Sequence, residues 1–287
     1  MPSGPQQPTV LAALRRRIAA IERPPPQFAD RDGSGTADGR NAAEAWRFGL
    51  ADIDAALPGG RLATDGLHDI RPQEHQDGPA AVGLALALLL RLPAGDAAPP
   101  GPVLWCQNRR CAGDFGRLYG PGLAAFGLDA ARLIVLRAER DRDVLWAMEE
   151  GLNARALSLV IGELEQADFT ASRRLALAAR QGRMPALLLQ SPAAAQASAA
   201  RTRWRIAARP GAADAWDARA PGPVRWHLHL ARCRGGRPGA WTVEWNHATH
   251  RFRLAAALAD RPAQTRPTQT RPAQTRPDSV AARRRSG

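Results

Sequence analysis

The chain has 287 residues, enough for one large domain with tails or for two modest ones, and either option can bury a core. Its formal charge is +13, and all 40 basic residues are arginine, so lysine-dependent chemistry, from Schiff bases to a lysine-bearing phosphate loop, is excluded. Residues 1–200 hold 22 Arg against 22 Asp and Glu, while residues 201–287 hold 18 against 5, so the whole excess lies in the C-terminal part. A GC-rich genome explains arginine in place of lysine but not that segregation.

The N-terminus, MPSGPQQPTV, lacks the positive start and apolar core of a secretory signal, so a cytoplasmic location is expected. Over residues 8–22, Leu11, Leu14, Ile18 and Ile21 share one helical face and Arg15, Arg16 and Arg17 lie largely on the other. Such an amphipathic helix needs a surface to dock on, which makes its four apolar residues a candidate partner-docking face. Pro24 to Pro26 and the stretch ADRDGSGTADGRN then read as a flexible linker, so residues 1–45 form a tethered helix apart from the body.

From Trp46 to about residue 200, short apolar runs alternate with helical patterns. Strands are expected near 66–71, 102–107, 132–137, 157–162 and 185–190, with helices near 80–92, 114–126, 142–155 and 170–181. Runs such as PVLWC, RLIVL, LSLVI and ALLLQ read as strands buried on both faces, each followed by a crossover helix. The fold class is therefore α/β, a mostly parallel sheet flanked by helices. Asp141 and Asp168 are the expected N-caps of the last two helices. The longest apolar run, Val82 to Leu92, is bounded by Pro79 and Pro93 and is too short for a membrane span.

Beyond residue 200 the period becomes two. Trp204 and Ile206 alternate with Arg203 and Arg205, and Trp226, Leu228 and Leu230 with Arg225, His227 and His229. Trp241, Val243 and Trp245 oppose Thr242, Glu244 and Asn246. Residues 201–258 thus read as antiparallel strands completing the core, with a packed face holding the tryptophans and a basic, wet face. Arg201, Arg203, Arg205, Arg225, Arg232 and Arg234 are the candidate residues of that face, with DNA or an acidic protein as its partner. Residues 259–287 read as a disordered basic tail built on the repeat RPAQT RPTQT RPAQT RP.

Isolated constellations carry less. Cys106, Cys111 and Cys233 form neither a CxxC pair nor a disulfide framework and read as small buried hydrophobes. His227 with His229 and His247 with His250 invite a metal reading, but no acid or cysteine completes a set, and solvated or hydrogen-bonded imidazoles are expected. Asp114, Phe115 and Gly116 match a kinase magnesium triplet by coincidence, since the accompanying loop and lysine are missing. No GxSxG elbow supports a hydrolase.

The stretch FGLADIDAALPGGRLATDGLHDI, Phe48 to Ile70, resembles the lead-in to the phosphate loop of the RecA recombinase superfamily. At the corresponding loop stands RPQEHQDGPAAVG, Arg71 to Gly83. A phosphate loop needs glycines that let backbone N–H groups converge, a lysine and a magnesium-binding hydroxyl. Here Arg71, Gln73, Glu74, Asp77 and Gly78 form a degenerate version with two acids and two prolines, so neither nucleotide cofactor nor turnover is expected. The superfamily's catalytic Glu is replaced by Gln107 and Asn108, and Glu163, at its magnesium position, reads as a solvated strand-end acid.

The phrases FGRLYGPGLAAFGLD, DVLWAMEEGL, LSLVIGELEQADFTASRRLALAARQG and WTVEWNHATHRFRL, together with the lead-in, resemble the ImuA family of RecA-like accessory proteins in bacterial damage-induced mutagenesis. The resemblance runs from about Phe48 to Leu254. It implies a non-catalytic assembly role in translesion synthesis. The implied partners are an ImuB-like inactive polymerase homologue, an error-prone C-family DNA polymerase and the RecA recombinase.

Overall fold

The Gly-Gly turn and the apolar runs that follow it set the architecture. The computed structural model describes residues 45–93, 101–194, 197–212 and 222–255, all within one compact unit. A short helix α1 (Ala51–Asp54) and the turn at Pro58–Gly60, where Gly59 and Gly60 have positive φ, lead into β1 (Leu67–Pro72). The crossover helix α2 (Gly78–Leu90) is apolar on nearly every side and is buried all round, as its composition requires. Next come β2 (Val103–Asn108), α3 (Arg109–Phe115), α4 (Gly120–Phe126), β3 (Leu133–Ala138) and α5 (Asp141–Ala154). The order continues with β4 (Leu159–Leu164), α6 (Phe169–Gly182), β5 (Ala186–Gln190), β6 (Thr202–Arg209), β7 (Val224–Cys233), β8 (Gly239–Asn246) and β9 (Arg251–Leu254).

All nine strands form one sheet in the order β3-β2-β4-β5-β1-β6-β7-β8-β9. Neighbours from β3 through β6 pair in parallel, and β6 through β9 pair antiparallel. One face packs on α2, α4 and the segment from Trp46 to Leu62, around Ile70, Leu84, Leu88, Trp105, Trp204, Trp226 and Trp245. Gly83 permits that packing on β7: a β-carbon there would fall 2.7 Å from the Trp226 ring. Trp46 secures the entering segment by donating from Nε1 to the Leu88 carbonyl at 2.8 Å. The other face packs on α5 and α6 through Leu104, Val144, Met148, Leu175 and Leu188. Among the described residues, no helix is long and apolar enough to cross a membrane.

The expected α/β class and alternation hold, with four local differences. β6 pairs with β1 in parallel before it pairs with β7, so the parallel part has six strands rather than five. β3, expected to be buried on both faces, is the sheet edge, and Val135 is 39% exposed there. The single helix expected near 114–126 is two short ones, because Gly116 turns the chain at φ 88° and Pro121 restarts it. Asp168 caps α6 through the Ala171 amide at 2.6 Å, as expected, but Asp141 is the first residue of α5 and not its cap. Its carboxylate instead accepts from the Glu165 and Gln166 amides beyond β4 and ties two strand ends together.

Candidate functional site

In an open α/β sheet the crevice at the carboxyl ends of the parallel strands is where ligands bind, and here it opens between the β1–α2 turn, α3 and the end of β4. A phosphate site in that place needs backbone N–H groups with nothing else to bond. Four of the turn's amides are already committed. Gln73 N donates to the Ile206 carbonyl at 2.7 Å, and Glu74 N to Asp77 Oδ2 at 3.1 Å. Asp77 N donates to the Glu74 carbonyl at 3.0 Å, and Gly78 N to the His75 carbonyl. Residue 79 is proline and has no N–H at all. Asp77, buried, also accepts from Ala208 N at 2.8 Å, so the acid that would repel a phosphate pins the turn to β6. Freeing these donors costs roughly 0.5–1.5 kcal/mol each.

The N-terminus of α2 is also covered. Phe115, the last residue of α3, lies on Gly78 so closely that a β-carbon there would fall 2.4 Å from ring atoms Cε2 and Cζ. The His75 ring packs against the same phenyl at a centroid distance of 4.8 Å. Beneath remains a cavity of about 190 Å³, smaller than the roughly 300–1,000 Å³ of ligand pockets, with Glu163, Glu165 and Asp114 in its lining. Burial first, and then Glu163, Asp141, Glu165 and Asp114, push the Cys111 thiol up to about 12, so it stays protonated.

Glu163 departs from its expected solvated state. It is buried, and its carboxylate accepts from Trp105 Nε1 at 2.6 Å and from Gln107 Nε2 at 2.9 Å. Burial raises its pKa against the lowering effect of those two hydrogen bonds. Gln107 thereby acquires a role as a clamp on Glu163. Asn108 caps α3 by accepting from Arg110 N at 2.9 Å and donates to Asp141.

Arg71 stands in β1, not in the turn, and points to the opposite face, fully buried. It donates from Nη2 to Asp69 Oδ2 at 2.8 Å and from Nη1 to the Ala194 carbonyl at 2.9 Å. Arg203 Nε donates to the same Asp69 Oδ2 at 3.1 Å, and Gln190 Nε2 donates to Asp69 Oδ1 at 3.0 Å. One buried carboxylate thus sits between two guanidinium groups.

Of the six arginines expected to line one basic face, two are neutralised and buried on it. Register places Arg203 opposite Asp69 and Arg225 opposite Glu244, and both guanidiniums are buried in ion pairs with those acids. Arg205 is half-buried between them. Arg201, Arg232 and Arg234 are exposed beside α6, at the end of the ladder where Arg232 pairs with Arg203. Trp204, Trp226 and Trp245 are buried in the core as expected, with Trp241 half-buried beside them. The histidine pairs lie apart: His227 meets Thr242, while His247 and His250 pack on Phe126 and Trp245. Leu11, Leu14, Ile18, Ile21 and the C-terminal tail lie outside the described residues.

Sequence reasoning missed Phe115 as a plug, the Asp69 network and the surface of α6. The cross-strand acids had a signal, since Asp69 and Glu244 share the parity of the arginines they neutralise.

No family model matches the chain. The chain is 35% identical over 226 residues to Protein ImuA of two strains of Caulobacter vibrioides, NA1000 / CB15N and ATCC 19089, covering 74% of this chain and 89% of each relative. With that identity sustained over most of both chains, this protein belongs to the ImuA family.

Proposed function

We propose that the chain is a RecA-like protein that does not turn over nucleotide and that acts as an assembly factor in damage-induced mutagenesis and translesion synthesis. Its partners on this reading are an ImuB-like inactive polymerase homologue, an error-prone C-family DNA polymerase and the RecA recombinase. The observation that carries the non-catalytic half is the turn from Gln73 to Gly78. The amides of Gln73, Glu74, Asp77 and Gly78 are bonded to protein acceptors, and Phe115 covers the helix end behind them. Family membership supports the mutagenesis half. The sheet order supports the RecA-like half, because β1 stands inside the parallel strands with α2 crossing behind it.

The test has two arms. Equilibrium dialysis of the full chain against labelled ATP with magnesium is expected to give no saturable binding in the micromolar range, and co-purification from damaged cells is expected to recover the polymerase homologues. Micromolar ATP binding or turnover would refute the non-catalytic reading. Recovery of none of the three partners would refute the assembly role.

A further inference from the structure

A concave groove of about 600 Å³ runs between α6 and the segments that flank β1, β6 and β7. Phe169, Arg173, Leu177 and Arg180 form its helical wall, a stripe at the three- to four-residue spacing of one helix face. Arg201, Arg232 and Arg234 form the opposite wall. Asp65 is the one acid lining it, and it is engaged by Arg201 at 3.3 Å. Arg232 donates to the Ser198 carbonyl at 3.0 Å, while Arg173, Arg180 and Arg234 make no ion pair with any described residue.

The groove therefore carries a clear excess of positive charge, and it also exposes two large apolar side chains. Phe169 and Leu177 are 49% and 50% exposed and stand eight residues apart, about 12 Å along the helix axis. A scattered exposed leucine is ordinary. Two such side chains bracketing Arg173 on one stripe of a concave site form a recognition pattern.

From this charge and spacing we propose that the groove docks an acidic, amphipathic peptide segment of a partner protein, with two apolar anchors set about two helical turns apart. The proposal rests on the assembly reading and gives it a surface. Charge excludes the chain's own candidates: the sequence at residues 8–22 carries Arg15, Arg16 and Arg17, and residues 261–277 repeat arginine and proline. A second copy would set like charges face to face. DNA would satisfy the arginines but has no use for an aliphatic side chain such as Leu177, which offers no stacking face. Helix-in-groove recognition uses both features, apolar anchors for register and complementary charge for attraction.

The full-length protein is titrated against a fluorescein-labelled amphipathic peptide of about 14 residues, rich in Glu and bearing two leucines seven positions apart, in the helix-in-groove pattern. The controls are the same peptide with both leucines changed to serine and a polythymidine oligonucleotide of similar charge. Arg173→Glu with Arg180→Glu is expected to weaken the leucine peptide by about tenfold or more. Leu177→Ser is expected to weaken it by roughly threefold and to erase its advantage over the serine peptide, leaving oligonucleotide binding unchanged. Both substitutions sit on exposed positions, so unchanged circular dichroism and thermal midpoints exclude unfolding as the cause. Equal binding of the leucine and serine peptides to the unsubstituted protein would overturn the proposal, as would charge reversal that weakens the oligonucleotide alone. If the peptide fails while polymerase partners still co-purify, the groove alone is refuted; if both fail, the assembly reading falls with it.

Discussion

Two concave regions of this protein have opposite chemistry. The crevice beside the β1–α2 turn has acids in its lining, four turn amides already bonded to protein acceptors and a phenyl ring over the helix end. The groove along α6 is rich in arginines, of which only Arg201 meets a described carboxylate, and it leaves apolar side chains half-exposed. A surface attracts a partner with the hydrogen-bonding and apolar capacity it has not used internally. By that measure the crevice at the strand ends keeps little unused capacity, and the proposed docking surface is the helix on the opposite face of the sheet.

Closing the crevice relies on β1 and β6 being held rigidly, so the contrast is tested most severely at Asp69. Asp69→Ala would leave Arg71 and Arg203 buried without their shared anion, and a loss of about 3–5 kcal/mol in urea unfolding is expected. A loss under about 1 kcal/mol would mean that water reaches these groups and that the sheet beneath the crevice is not rigid.

His68 lies one residue earlier, on the other face. Burial, against the raising effect of the Ala63 carbonyl, lowers its pKa to about 4. The folded state therefore resists protonation, and stability present above the ordinary histidine pKa of 6.5 is lost as pH falls from there toward 4. The full shift corresponds to about 3 kcal/mol. Urea midpoints from pH 7 to pH 4 should decline over that window and flatten in His68→Asn. An unaltered decline in the variant would clear His68 of the effect.

Glu163 sharpens the crevice side. Glu163→Ala strands the Trp105 and Gln107 donors and should cost about 1–3 kcal/mol. Glu163→Gln should cost less, because Gln107 Oε1, buried without a partner among the described residues, can accept from the new amide after a flip. The sign of the pH effect follows from the raised pKa. The unfolded carboxyl ionises first, so the wild-type fold loses stability as pH rises from the ordinary carboxylate range through the raised value, and Glu163→Gln should not. Parallel wild-type and Gln profiles would show that Glu163 is solvated after all.

Much of this fold is written in local pattern. The runs that became β1, β2, β4 and β5 are short, apolar and followed by helical periodicity, and one turn chemistry per junction suffices to place them. β3 shows the limit: RLIVL is as apolar as its neighbours, and only strand order reveals that it is an edge. The arginines of β6 and β7 show another. Parity assigned them to a face correctly, but register decides that Arg203 meets Asp69 and Arg225 meets Glu244, and register is a property of two strands. Lysine's absence made the lack of a lysine-bearing phosphate loop legible. The plug was not, because Phe115 reaches Gly78 across 36 residues of intervening chain and nothing local marks the contact.

Phe115 therefore offers the finest test of how the crevice is closed. The ring is 39% exposed, so Phe115→Ala should cost about 1–2 kcal/mol, well short of the roughly 3–5 kcal/mol of a fully buried phenylalanine. Removing it uncovers the N-terminus of α2. If the ring were the sole obstacle, the variant would gain saturable affinity for ATP and magnesium, readable as a rise in thermal midpoint with ligand. The turn predicts otherwise: Gln73, Glu74, Asp77 and Gly78 keep their amides bonded, and Glu163, Glu165 and Asp114 still face the cavity. The expected result is a small loss of stability and no shift with ATP. A ligand-dependent shift in the variant would make Phe115 a gate over a working nucleotide pocket, and the contrast between a closed crevice and an open groove would be lost.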